Sequence, residues 1–398
     1  MEFGIDAMTF YTSKYYLDLE AFALGRNESP SKFKGDFGQY KMSVSAPNED
    51  VVTMAANAVH QLLEHNGSEN LEMVIFATES GIDAAKSAAT YIHSWFNLPK
   101  RCRVVELKQA CYGATFGLQL ALSWLKQNTD KKVLLIASDI ATYALKNAAE
   151  SSQGCGAIAM LLSANPRLIA IENYSGFCTM ETMDFWRPNY LNYSLVDGRL
   201  SCNVYMRMAE ESFKQYLTLS GRDFHSHDYF CYHMPFARLV EVTHKRLAKL
   251  NQSALPQEFI NHQIRDGLVY GREVGNCYTA SLYLDILSLL ENSNCNMDNG
   301  LVGLYSYGSG SVAEFFCGRI SKNFRSYLPR PSTREFLDLR FALTFDEYEE
   351  FQKIKLSCSG EINFPKCWET GLFGLEGVSN HRRIYRSKAY FCNGLHNG

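Results

Sequence analysis

Val104-Val105-Glu106-Leu107, then Gln109-Ala110-Cys111-Tyr112-Gly113, then residues 114–126: this stretch decides the fold. The first segment is a short β-branched, apolar run and reads as a strand. The second is a turn that Gly113 lets tighten. The third carries Phe116, Leu118, Leu120, Ala121, Leu122 and Leu125. A helix so apolar nearly all round is expected to be buried on several sides. A strand that turns directly into a buried helix is an α/β unit.

Outward from it the pattern recurs. Residues 73–77 form an apolar strand that ends in Thr78-Glu79-Ser80-Gly81, and Asp83 is placed to cap a helix running to Trp95. Residues 132–137 and 157–162 read as two more core strands. The expected class is α/β, with helices covering both faces of a sheet. Residues 173–199, rich in aromatic, Pro and Gly residues, read as connecting structure or a lid. Beyond them the reading is a helix around 205–219, a strand 229–232 reaching His233, and a helix 240–250. A second buried helix follows at 278–290. A strand at 301–305 is stopped by Ser306-Tyr307-Gly308-Ser309-Gly310, with 313–318 as its return partner. After about residue 325 the chain is more polar and shows no clear period. One internal echo stands out: Cys111-Tyr112-Gly113-Ala114-Thr115 and Cys277-Tyr278-Thr279-Ala280-Ser281 both share Cys-Tyr-x-Ala-(Thr/Ser) before an apolar helix. It suggests two similar halves about a pseudo-twofold.

The bulk numbers exclude several classes. With 398 residues, 46% hydrophobic and 20% charged, the chain can bury a large core. A formal charge of -3, from 39 basic and 42 acidic residues, gives no global attraction to nucleic acid or to an anionic membrane. No apolar run is long enough for a membrane span, and Met1 to Asp6 lacks the basic-then-apolar pattern of a secretory signal. The twelve cysteines never form a CxxC pair, so neither a zinc site nor a disulfide scaffold is indicated. They read as reduced, mostly buried small residues of a cytoplasmic protein.

Three residues at strand ends could carry chemistry. Cys111 sits at a helix start, where N–H groups and the macrodipole favour a thiolate and could hold an oxyanion; the plain alternative is a buried inert cysteine. Glu79 closes a strand, where α/β active sites collect, and partial burial would raise its pKa toward general-base work. Its alternative is a turn carboxylate bound to backbone N–H groups. His233, in Tyr232-His233-Met234-Pro235-Phe236, is either a satisfied core histidine or a positioned acid. The glycines of Ser306 to Gly310 free backbone donors at a fourth strand end. That segment is not a phosphate loop, because no Gly-Lys-(Ser/Thr) follows. Gly113 and Gly117 read as helix packing.

At these residues the chain resembles the 3-hydroxy-3-methylglutaryl-CoA (HMG-CoA) synthase family, in its bacterial mevalonate-pathway branch. The resemblance runs from Gly4-Ile5-Asp6 to about Leu328. It includes Ala77-Thr78-Glu79-Ser80, residues 106–115, Asp184-Phe185-Trp186-Arg187-Pro188, His233-x-Pro235-Phe236, Gly275-Asn276-x-Tyr278-Thr279 and Tyr307-Gly308-Ser309-Gly310. It implies a thiolase-like five-layer αβαβα fold with two pseudo-symmetric halves, residues 1–170 and 171–398. It also implies a homodimer, and no metal or prosthetic group. The family's base, nucleophile and acid fall on Glu79, Cys111 and His233. Its substrate contacts fall on Tyr143, Asn147, Ser152, Ser201, Asn276 and Ser309, and its CoA-facing basic positions on Lys32 and Arg238. The implied reaction joins acetyl-CoA to acetoacetyl-CoA through an acetyl-Cys111 intermediate.

Two departures from the family pattern stand in the sequence. Glu241 and Val242 occupy places where further CoA-facing lysines are usual, with Lys245 and Arg246 the next basic residues. Gly154-Cys155-Gly156 replaces the more usual Gly-Ala-Gly, a change that concerns packing. The first departure keeps a rival in play: the acyl-carrier-protein relatives that build β-branches in polyketides. A thiolase or ketoacyl synthase would want a second His or Cys in place of Glu79. A non-catalytic acyl-CoA-binding scaffold would have lost one of the three chemical residues, and all three are present.

Overall fold

The computed structural model describes residues 1–251, 256–354 and 360–387. Nine strands build the main sheet: β1 (Phe3–Tyr11), β2 (Leu71–Ala77), β3 (Arg103–Leu107), β4 (Lys132–Ile140), β5 (Cys155–Ala164), β6 (Ile169–Thr179), β7 (Tyr229–Tyr232), β8 (Leu301–Gly308) and β9 (Val312–Ile320). Their spatial order is β7-β8-β9-β6-β1-β5-β4-β2-β3. The helices that matter are α1 (Leu19–Arg26), α2 (Val51–Asn66), α3 (Ala89–Trp95), α4 (Gly113–Leu125), α5 (Gly198–Ser220), α6 (Ala237–Leu250), α7 (Ser281–Asn292) and α8 (Phe345–Lys353).

The topology repeats. β2 pairs in parallel with β4, β4 antiparallel with β5, and β5 antiparallel with β1. β7 pairs in parallel with β8, β8 antiparallel with β9, and β9 antiparallel with β6. The runs β1-β5-β4-β2 and β6-β9-β8-β7 are therefore the same unit used twice. They meet where Gly4 and Ile5 of β1 face Ala170 and Ile169 of β6. β3 extends the first run as an edge strand beside β2.

Alternation along the strands sorts the side chains into layers. In β4, Val133, Leu135 and Ala137 join the central cluster with α4 and α7, while Leu134 and Ile136 join the cluster of α2 and α3. On the other half, Phe230, Tyr305 and Phe315 face α5 and α6, whereas Cys231, Leu304 and Phe316 face the centre. The result is helix, sheet, helix pair, sheet, helix, the expected five layers on one continuous mixed sheet.

Several local expectations need correction. The Asp83 carboxylate accepts from the Ala85 and Lys86 N–H groups, but it caps only a turn; the helix begins at Ala89. Residues 173–179 are not a lid: they continue β6, whose far end is ordered by pairing with β9. β8 does not stop at Tyr305 but runs on to Gly308 through its ladder with β9. The helix expected from Tyr278 opens with a 3-10 turn, Tyr278–Ala280, before α7. In α4, Phe116 and Leu120 are each 45% exposed, so one of its faces is open. The polar tail folds as Thr333–Asp338, α8 and the paired strands Phe373–Ser379 and Arg382–Ser387. Among the described residues ten cysteines are free, half of them buried; Cys358 and Cys392 lie outside the described residues.

Candidate active site

The repeat brings strand ends together. Glu79 follows β2 and His233 follows β7, its counterpart in the other half. Cys111 precedes α4, and Asn276-Cys277 precede α7. The segments after β4 and β8 supply Tyr143 to Ser152 on one side and Ser309 on the other. Cys111, His233, Tyr143, Asn147, Ser152, Ser201, Asn276 and Ser309 line one cavity of about 380 Å³. Its walls are otherwise apolar and aromatic, with Phe37, Phe185, Tyr205, Phe236, Tyr278 and Tyr307.

Glu79 completes the group from beneath. The Cys111 thiol donates to Glu79 Oε1 at 3.0 Å. Burial raises the Glu79 pKa to about 8, and the Asp139 carboxylate adds to the effect. Burial likewise pushes the Cys111 thiol well above its ordinary value, with the Glu79 carboxylate second. The expected thiolate is thus corrected: a desolvated thiol facing a carboxylate keeps its proton despite the helix start. Such a pair can serve as a nucleophile with a base already in hydrogen-bond contact.

Asp139, which the sequence reading passed over, holds this corner in place. At the end of β4 and fully buried, it accepts from the Glu79 and Ser80 N–H groups at 2.9 Å and from the Thr78 hydroxyl at 2.8 Å. Its other oxygen accepts from Thr279 of the opposite half, at 2.5 Å from the hydroxyl. Arg187 donates to the Glu79 carbonyl at 2.9 Å. A charged residue closing an otherwise apolar strand was the available signal.

His233 is 3% exposed, and burial lowers its pKa to about 3. The imidazole is therefore neutral, and Nδ1 is buried without a partner. Its backbone is pinned by a bond from its N–H to Tyr305 O and one from the Tyr205 hydroxyl to its carbonyl, both 2.7 Å. Asp184, a second residue missed as functional, is fully buried and accepts from Tyr307 at 2.6 Å, Gly310 N–H at 3.0 Å and Ser201 at 3.3 Å. The Gly310 N–H is thereby committed, so the 306–310 segment does not offer that donor to a substrate. Asn276 Oδ1 accepts from the Tyr278 N–H and the Ser281 hydroxyl, each at 2.9 Å, which leaves its amide donors for the cavity. Gly275, at φ +88°, sits where a Cβ would lie 2.1 Å from Gln153 O, so the two substrate-facing segments meet backbone to backbone.

The basic positions lie outside the main cavity. Lys32 lines an adjoining cavity of about 260 Å³ that shares Asn147 and Ala148 with the first, and it is paired to Glu28 at 2.6 Å. Arg238, half exposed, lines neither cavity and is paired to Glu241 at 2.9 Å. Glu241 is also paired to Arg272 at 2.6 Å. Burial works against its charge, yet the bonds from Arg238 and Arg272 outweigh it and hold the carboxyl below the usual range.

Comparisons with known proteins agree on one family. The family model described as hydroxymethylglutaryl-coenzyme A synthase N terminal matches residues 1–167, and the corresponding C-terminal model matches residues 243–388. The chain is 40% identical to the hydroxymethylglutaryl-CoA synthase of Enterococcus faecalis, over 97% of this chain and 100% of that one. It is 31% identical to a polyketide-biosynthesis 3-hydroxy-3-methylglutaryl-ACP synthase of Bacillus subtilis, over 87% of each. A crystal structure of an HMG-CoA synthase complexed with CoA superposes with TM-score 0.91 at 34% identity, covering 97% of this chain and 100% of that chain.

Proposed function

The chain belongs to the hydroxymethylglutaryl-CoA synthase family and is an acyl-CoA condensing enzyme; from that premise we propose how its residues divide the work. The observation that carries the reading is the Cys111 thiol, which lines one cavity with His233, donating to Glu79 at 3.0 Å. Glu79 takes the thiol proton as sulfur attacks the thioester carbonyl of acetyl-CoA. CoA leaves with that proton, which restores the Glu79 carboxylate, and Cys111 carries the acetyl group. Glu79 then removes a proton from the acetyl methyl, and the resulting carbon attacks the ketone of acetoacetyl-CoA. His233, neutral in the empty site, donates a hydrogen bond to that ketone oxygen. The negative charge building on that oxygen favours the protonated imidazole, so His233 takes up a proton from water, passes it to the alkoxide and returns to neutral. Water then cleaves the Cys111 thioester and releases HMG-CoA. Asn276 and Ser309 hold the carbonyl oxygens; removing one such donor costs about 3–4 kcal/mol of transition-state stabilisation.

The wider reading follows the same premise. The two halves are residues 1–170 and 171–398, a division supported by the strand run that repeats on either side of it. A homodimer is supported by the open edge of β3 and by Val105, Phe116 and Leu120, which are 42–45% exposed. No helix among the described residues is long and apolar enough to cross a membrane. The free thiols and the bacterial relative support the cytoplasmic placement.

Acyl-carrier-protein substrates remain the second reading, because Glu241 neutralises Arg238 where a CoA phosphate would want a free cation. The 40% identity to the E. faecalis enzyme against 31% to the carrier-protein enzyme favours CoA. Turnover of acetoacetyl-CoA against acetoacetyl-carrier-protein separates them: the CoA thioester is expected to turn over at least tenfold faster in kcat/KM. The reverse preference would overturn the CoA assignment.

A further inference from the structure

The segment between β4 and β5 presents Tyr143, Asn147 and Ser152 to the cavity; beyond its own short turns, the Ser194 N–H bonds Thr142 O at 2.8 Å and the Asn276 N–H bonds Ser152 O at 3.0 Å, leaving residues 143–151 between them. Behind it lies Glu150, 1% exposed. That carboxylate receives Arg26 of α1 at 2.6 and 3.1 Å, the Tyr348 hydroxyl of α8 at 2.8 Å and the Lys146 N–H at 2.7 Å. Tyr348, fully buried, also accepts from the Gln153 amide at 3.1 Å, and the same Gln153 side chain accepts from the Tyr143 N–H at 2.8 Å. Arg26 is tied a second time to α8, through Glu349 at 2.8 Å.

We infer that Glu150, clamped by Arg26 and Tyr348, is a positioning residue that sets the shape of the substrate-facing segment, so that the C-terminal α8 controls substrate affinity without touching substrate. Two points of the segment's first half hang from this clamp: Lys146 N–H from the Glu150 carboxylate, and Tyr143 N–H from Gln153 and thence Tyr348. A buried carboxylate with four donors has no room to drift, and its geometry passes to Asn147 and Ser152 through the two intervening turns. The clamp also gives a role to the polar tail that carries no readable period.

The inference rests on the reading that Tyr143, Asn147 and Ser152 touch the acyl thioester, and the test separates the two. In the full-length enzyme, Tyr348→Phe keeps the ring packing and removes both hydroxyl bonds; Glu150→Gln keeps the shape and removes the charge. Each is expected to raise KM for acetoacetyl-CoA about fivefold or more, with kcat within about twofold, the signature of lost uniform binding. Thermal unfolding of Tyr348→Phe is run alongside. A lowered melting temperature with unchanged KM would mean a purely structural role and would overturn the inference. Asn147→Ala is the control: if it raises KM and Tyr348→Phe does not, the clamp alone is wrong. If Asn147→Ala leaves KM unchanged, the substrate-facing reading fails and takes the clamp with it. Should Glu150→Gln fail to fold, Tyr348→Phe decides by itself.

Discussion

At the scale of single residues, the site is built on unfavourable protonation. Burial and the Asp139 carboxylate raise the Glu79 pKa against the lowering effect of the Cys111 hydrogen bond, while burial and then the Glu79 carboxylate raise that of the Cys111 thiol. A base with a pKa near 8 is weak at rest but well matched to a carbon acid activated as a thioester. kcat/KM is expected to fall roughly tenfold per pH unit below about 8, on an ionisation belonging to the Glu79–Cys111 pair. His233, lowered to about 3, should add no limb between pH 5 and 9. The sign for stability runs the other way. A carboxyl whose folded pKa lies above its unfolded value stabilises the fold below the ordinary carboxylate range, and that stability is lost as pH rises through about 8. Glu79→Gln should therefore melt progressively higher than the wild type as pH is taken from 5 to 8. A melting difference independent of pH would contradict the raised pKa.

Elements explain what was readable in the sequence and what was not. Strands 71–77, 132–140 and 155–164 are legible because both faces of their middles are covered, so residues 73–77, 133–137 and 157–162 are apolar without interruption. β6 is not legible past Ile171, because Tyr174 and Phe177 are exposed and the segment alternates like a partly open edge. Its order comes from β9, which lies more than a hundred residues away in sequence. Glu79, Cys111 and His233 are visible as chemistry at strand ends, whereas Asp139 and Asp184 work through partners that only folding supplies. α4 shows the opposite failure: its all-round apolar pattern is real, yet Phe116 and Leu120 are uncovered within one chain. The proposed homodimer would cover them with a second copy. Phe116→Asp with Leu120→Lys should shift the enzyme from dimer to monomer in sedimentation velocity, with little change in the far-UV circular dichroism. A wild-type monomer at micromolar concentration would contradict the dimer.

For the whole molecule, the duplicated unit explains why the reaction can be split between two halves. In the proposed reaction the first half supplies nucleophile and base, Cys111 and Glu79, and the second supplies His233, Asn276 and Ser309. Asp139 bonds Thr279, Tyr112 bonds Glu314 at 2.7 Å, and Gly275 packs on Gln153, so the halves are sutured around the cavity on three sides. The central claim is that Cys111 carries the acetyl group while Glu79 is indispensable only for making carbon–carbon bonds. Loss of Glu79 removes the base that takes the thiol proton, but also the carboxylate that raises the thiol pKa, so loading slows and still goes to completion while condensation is lost. The direct measurement is intact mass of wild type, Cys111→Ala and Glu79→Ala after mixing with acetyl-CoA, followed by assay of HMG-CoA once acetoacetyl-CoA is added. The expected result is one acetyl group on wild type and on Glu79→Ala, none on Cys111→Ala, and product from wild type alone. An acetylated Cys111→Ala, or a Glu79→Ala that condenses at the wild-type rate, would contradict it.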